Sequence, residues 1–288
     1  MTDSVRSDPL VLLPGFFHGT WCWSEVLIQV LSAGRRAVAV DMAGHGLHAR
    51  RPRSFLRRPH DPEAFRHEVD PMPDVNLDRS AALLTSQLKQ IGGGSPVTVV
   101  AHSGAGVLLT RVAQQSPDLV SHAVYLSAVM PASDTPPAAH TEWPEFADSR
   151  ITPLYVGDPA EIGALRLDVA SDDYTYRAAL REALYHDVDP VVADAAIGLL
   201  TPDAPLGLAL DPTTLTRDGW GSVPRTYITC SRDKVMPPGV QARFISEADE
   251  AFPENRTDVQ NLDASHSPFL SMPQAVADIL TSVGKSGG

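Results

Sequence analysis

Residues 97–106 read VTVVAHSGAG. A β-branched apolar run of this kind suits a strand buried on both faces. Yet it stops abruptly on His102 and Ser103, followed by three small residues, Gly104, Ala105 and Gly106. One reading is a sharp strand-to-helix turn that lifts a serine above the sheet edge, the nucleophile elbow written G-x-S-x-G. Here both glycine positions are alanine, Ala101 and Ala105. Alanine adds only a methyl group where backbones approach closely, but it is strained if the local φ is positive. The competing reading makes Ser103 an ordinary helix cap.

Outward from this run, short apolar segments alternate with amphipathic ones. Strands are expected at 10–16, 36–41, 97–102, 122–129, 225–230 and 257–263, and helices at Trp23–Leu31, Asp78–Ile91, Val107–Gln115 and Pro237–Ala248. This alternation predicts an α/β fold, a mostly parallel sheet with helices on both faces. Ligands of such sheets bind beyond the carboxyl ends of the strands. Two stretches interrupt the pattern. Residues 48–77 hold six arginines and five prolines without a steady period, which suits a solvated surface excursion or a loop at the site mouth. Residues 131–222 are too long for a plain connection and contain helical pieces, so a helical cap is expected there. The core is then 1–130 and 223–288.

A serine hydroxyl needs a base to take its proton, and the base needs a third group to orient it. Serine, acid, histidine is one chain order in which this constellation occurs. RTYITC (225–230) runs into SRDKVMPP and places Asp233 just past a strand end; TDVQNLD (257–263) runs into ASHSPFLSMP and places His266 in the next such loop. Asp263, or an acid near Met130, is the alternative to Asp233, and His45 and His102 are the alternatives to His266. Donors for a developing oxyanion are expected from the backbone N–H of Gly104 and from the loop PGFFHGTWCW (14–23), with Phe16 preferred over Phe17.

Composition narrows the function classes. The chain has 288 residues, 43% hydrophobic and 20% charged, with a formal net charge of −12. Such an acidic protein lacks the basic surface that sequence-independent nucleic-acid binding requires. Two cysteines, Cys22 and Cys230, give no disulfide framework and suit buried free thiols. The N-terminal MTDSVRSDPLVLLPGFF has no signal-peptide pattern, no apolar run approaches a membrane span, and the short GKSGG end is the only biased tail. A cytoplasmic protein without membrane partners is expected. No ligand-spaced His/Cys cluster and no G-x-G-x-x-G occur, so neither a metal nor an organic cofactor is implied. Nothing in the sequence chooses between a monomer and a homodimer.

With these residues assembled, the chain resembles the α/β-hydrolase superfamily and, within it, the methylesterase and hydroxynitrile lyase family with its bacterial esterase-like relatives. The resemblance covers roughly 10–47 and 78–285. It rests on PGFFHGTWCW, VDMAGHG, VVAHSGAG, AVYLSAVMPA, VPRTYITCSRDKVMPPGVQARFI and SHSPFLSMPQAVADIL. It implies Ser103 as nucleophile, Asp233 as acid, His266 as base, and Phe16 and Gly104 as oxyanion donors. Three departures stand out. Pro14 replaces a histidine, which leaves His18 as the only histidine of that loop. Gly15 and Ser267 replace the threonine and lysine of the lyases, so cyanogenic cleavage is disfavoured. Gly104 replaces a bulkier residue, which suggests a locally wider site.

The expected activity is hydrolysis of a carboxylic ester, lactone or thioester through an acyl-serine intermediate. The alternatives are cyclisation or carbon–carbon cleavage of a secondary metabolite, and a non-catalytic ligand-binding module. Apolar side chains of the loop and cap (Phe16, Phe17, Trp21, Trp143, Tyr174, Tyr176, Leu199, Leu200) suggest a small apolar or aromatic substrate, contacted by Phe17, His18, His102 and Trp143. Arg50, Arg51, Arg53, Arg57, Arg58 and Arg66 are either solvated or clamp an anionic group of a larger substrate.

Overall fold

The computed structural model describes residues 8–284, so the N-terminal stretch read above is described only from Asp8 and the GKSGG end only through Gly284. The described residues form eight strands: β1 (Leu10–Leu13), β2 (Ala37–Ala39), β3 (Val97–His102), β4 (Val120–Leu126), β5 (Ala164–Arg166), β6 (Asp203–Pro205), β7 (Arg225–Cys230) and β8 (Asp258–Leu262). Six of them make one sheet in the order β2-β1-β3-β4-β7-β8, and every pairing in it is parallel. All six residues of β3 are buried, as its position between β1 and β4 demands. The edge strand β8 buries only Leu262.

Alternate residues feed two separate cores, following the two-residue period of a strand. Leu10, Leu12, Val100, Val124 and Ile228 pack with Val26 and Val30 of helix Ser24–Ser32 and with Val276 and Leu280 of helix Pro273–Ser282. Val11, Leu13, Val99, Ala101 and Tyr227 pack on the other face with Leu84 and Leu88 of helix Leu77–Gly92, Val112 of helix Ala105–Gln115 and Phe244 of helix Pro238–Ala251. Helix Leu77–Gly92 begins where the Asn76 side chain accepts from Arg79 N–H and ends at Gly93, whose φ of 58° is left-handed; these are regular start and stop signals.

Between β4 and β7, residues 131–222 carry helices Tyr174–Leu184 and Pro190–Leu199, several short turns of helix, and the antiparallel pair β5–β6. This pair is an addition to the helical pieces read from sequence. Its three-residue strands are too short to show a period. Residues 48–77 fold back as two short helices, Arg53–Leu56 and Pro62–His67, with Phe65, Asp70 and Met72 buried and all six arginines exposed. Cys22 and Cys230 are free and buried. Among the described residues, no helix is long and apolar enough to cross a membrane.

Candidate active site

The turn after β3 supports the elbow over the cap. Ser103 has a φ of 52°, while Ala101 and Ala105 are absent from the left-handed residues, so the strain falls on the serine and not on either alanine. Its hydroxyl caps nothing, because helix Ala105–Gln115 has no side-chain cap. Close approach demands glycine one residue further on: a Cβ on Gly106 would stand 2.2 Å from the Val129 carbonyl. Backbone strain held this tightly is characteristic of functional turns.

The two later strand ends converge on this serine. His266 Nε2 lies 2.9 Å from Ser103 Oγ, and His266 Nδ1 lies 2.7 Å from Asp233 Oδ2. Asp233 is buried; its Oδ1 accepts the backbone N–H groups of Val235 (2.7 Å) and Met236 (2.8 Å). Its Oδ2 also accepts from the hydroxyl of Ser127, at the carboxyl end of β4. Ser127, inside the expected strand 122–129, is not singled out from the sequence; the signal it offered is a lone polar residue in the apolar run YLSAV, where β4 in fact ends at Leu126. The alternatives are placed elsewhere. Asp263 is exposed and bonded to Ser231 and Arg232, and His45 is buried against the Ala43 carbonyl.

The loop after β1 is held from several directions. Gly15 C=O accepts from His18 N–H at 3.2 Å, and His18 Nδ1 donates to the Phe16 carbonyl at 3.0 Å. The Tyr185 hydroxyl donates to His18 Nε2 at 2.8 Å. Burial pushes His18 down to about 3, so the imidazole is neutral and this donor–acceptor assignment follows. Asp41 accepts from Thr20 N–H (2.7 Å) and Leu47 N–H (3.0 Å) and pins the far end of the loop. Among the described residues, neither Phe16 N–H nor Gly104 N–H donates to another group. Two free donors beside a serine are what an oxyanion requires.

Gly104 does not widen the site. A Cβ there would stand 2.6 Å from ring carbons of Phe16, so the aromatic ring fills the space that the missing side chain leaves. At Gly15 a Cβ would lie 2.7 Å from His102 Nδ1 and 2.8 Å from Ser103 Cβ, which excludes threonine from this backbone.

Ser103 and His266 open onto a cavity of about 310 Å³, lined by residues of the sheet loops and of the 131–222 segment, among them Phe17, Phe146, Tyr155, Leu184 and Met236. Phe16, Phe17, His18 and Gly104 line it as expected. His102 and Trp143 do not. His102 is fully buried and bonds through Nε2 to the His266 carbonyl at 2.8 Å, because the last residue of a central strand points into the packed layer beneath the loop. Trp143 instead packs on Phe244, 5.1 Å between ring centroids, beneath the Arg243 guanidinium. Of the remaining apolar residues named above, Tyr174 and Leu199 are exposed and Leu200 is buried in the core. His140, Phe146 and Tyr155 line the cavity in their place. No residue of 48–77 lines it, so the arginines do not reach the cavity. Among the described residues, no group of three or more His, Cys, Asp or Glu converges to hold a metal ion.

Known proteins are similar to this chain over nearly all of its length. Methylesterase 1 of Arabidopsis thaliana is 25% identical over 96% of this chain and 96% of its own. Norfluorocurarine synthase 2 of Strychnos sp is 27% identical, over 98% of this chain and 97% of its own. Among solved structures, a pyrethroid hydrolase superposes with a TM-score of 0.76 at 20% identity, covering 97% of this chain and 98% of that one. Polyneuridine aldehyde esterase superposes with a TM-score of 0.71 at 22% identity, covering 97% and 100%. A sequence model of the Alpha/beta hydrolase family matches residues 10–279, from the first strand of the sheet into the last helix. Over that span, on this sheet, the chain belongs to the alpha/beta hydrolase family.

Proposed function

We propose that this protein is a cofactor-independent serine hydrolase that cleaves a carboxylic ester of a small apolar or aromatic molecule. The observation that carries the reading is the hydrogen-bonded run Ser103–His266–Asp233 opening onto an apolar cavity. His266 takes the Ser103 proton as the hydroxyl attacks the ester carbonyl, and the Phe16 and Gly104 amides receive the oxyanion. Each such donor lowers the barrier by about 2.7–4 kcal/mol. His266 then protonates the leaving alcohol, and water, deprotonated by the same imidazole, hydrolyses the acyl-serine. Asp233 holds the ring in the tautomer that leaves Nε2 free to accept, and stabilises the imidazolium. Residues 131–222 act as a cap over the sheet edge, contributing Phe146, Tyr155 and Leu184 to the cavity wall. Buried free thiols at Cys22 and Cys230 suit a cytoplasmic setting.

The ester-named relatives support this chemistry, and the similarity to a synthase supports a second reading, in which the same residues drive a different bond change. The test is hydrolysis of para-nitrophenyl acetate and butyrate by wild type and Ser103→Ala, with fluorophosphonate labelling alongside. Turnover and labelling are both expected, with turnover falling by roughly 10³-fold or more and labelling disappearing in the variant. Labelling without turnover of any ester would favour the second reading. Absence of both in folded wild type would remove the nucleophile.

A further inference from the structure

Outside the relay and the oxyanion loop, the cavity wall carries few polar side chains: His140, Thr141, Thr152 and Tyr155. Thr141 already donates to the Ala138 carbonyl. His140 is different. Its Nδ1 lies 2.7 Å from the Pro137 carbonyl, an acceptor only, so the ring proton sits on Nδ1. Burial lowers its basicity below the ordinary histidine value, which keeps the ring neutral and leaves Nε2 as a bare lone pair. That nitrogen has no partner among the described residues, and it is not one of the chain's sealed-in polar atoms. The ring cannot easily turn away, since Phe146 (5.2 Å), Phe244 (5.6 Å) and Trp143 (6.3 Å) pack around it.

We infer that His140 Nε2 is a specificity-determining acceptor, and that the substrate is an uncharged, mainly apolar ester whose body carries one hydroxyl or N–H donor for it. A purely apolar ester would strip water from Nε2 and return nothing, whereas a donor at that point replaces the lost hydrogen bond. The neutrality of His18 and His140 and the lack of Lys or Arg on the wall leave no cationic side chain there to pair with a carboxylate or phosphate. This inference rests on the hydrolase reading of the same site and specifies its substrate class.

The experiment uses methyl hydrocinnamate and its ortho-, meta- and para-hydroxy analogues. Binding is measured calorimetrically on Ser103→Ala, and kcat/KM on wild type, so that recognition and turnover are read separately. At least one hydroxy isomer is expected to be favoured about three- to tenfold over the parent in both, the worth of one neutral hydrogen bond against water. Adding His140→Phe should bring that ratio to about one, and His140→Gln, which restores an acceptor oxygen, should recover part of it. No favoured isomer, or a preference that persists in His140→Phe, overturns the inference. A preference lost only in Tyr155→Phe overturns it in favour of the Tyr155 hydroxyl. Turnover of all four esters alike would sink the inference and leave the hydrolase reading standing. A binding preference with no ester turned over would keep His140 as the acceptor but remove ester hydrolysis, and with it the ester part of the inference.

Discussion

Gly104 shows how much of the site depends on a single missing methyl group. In the proposed mechanism the amide that follows the serine stays free, and the Phe16 ring lies where a side chain on residue 104 would be. Gly104→Ala is expected to push Phe16, and with it the loop that carries the second free amide, out of place. A shift of about 1 Å in such a loop costs on the order of 10²-fold in rate. Turnover of para-nitrophenyl butyrate should therefore fall roughly 10²-fold while unfolding in urea changes little, because the displaced ring borders the cavity. Gly104→Ala combined with Phe16→Ala, which removes the clashing Cγ and Cδ atoms, should recover part of the rate. Unchanged turnover in the single variant would show that Phe16 moves aside without consequence.

Among the elements, the β5–β6 pair is held by a buried ion pair. Arg166 Nε and Nη2 meet both oxygens of Asp203 at 2.6 and 2.7 Å, both side chains fully buried. Arg166 Nη1 reaches the carbonyls of Phe65 (2.5 Å) and Glu68 (2.6 Å), tying the 48–77 excursion to the segment whose Leu165 and Leu206 line the cavity. Asp203→Asn leaves that guanidinium buried without its anion, and a loss of about 3–5 kcal/mol is expected. Replacing both partners, Arg166→Met with Asp203→Leu, should restore much of the loss, since neither charge is then desolvated. Urea denaturation of the three variants separates these outcomes. A double variant as unstable as Asp203→Asn would mean that the bonds to Phe65 and Glu68, rather than the ion pair, hold the excursion down.

For the whole molecule, buried histidines set the acid limit of stability. Burial pushes His18 down to about 3, His45 down to about 4 and His102 well below the ordinary value. The unfolded chain binds protons at these positions near pH 6.5, where the folded one refuses them. Their contribution is therefore complete above pH 6.5 and is lost as the pH falls, by about 1.4 kcal/mol per pH unit for each ring. Asp70 acts in the opposite sense. Burial, together with the neighbouring Asp203 charge, raises it to about 6, so its carboxyl gains a proton more readily folded than unfolded and offsets one histidine between about pH 6 and pH 4. The net expectation is a loss on the order of 4 kcal/mol in unfolding free energy from pH 7.5 to pH 5. A profile that stayed flat over that range would show that these rings accept protons in the folded state.

The chain by itself determined the parallel sheet, because a β-branched run such as Val97–Val100 and the two-residue period of its neighbours are local properties. It also placed Ser103, Asp233 and His266 at three strand ends, since a parallel sheet brings every carboxyl end to one edge. Whether those ends met, and at what distance, was decided by the register of β3, β4, β7 and β8. The tertiary structure alone recruited Ser127 to Asp233, turned His102 beneath the His266 loop, moved Trp143 off the cavity and set His140 on it. Each of these depends on which side of a residue faces a partner roughly 100 or more positions away. No local period carries that information; only the packing of the 131–222 segment against the sheet supplies it.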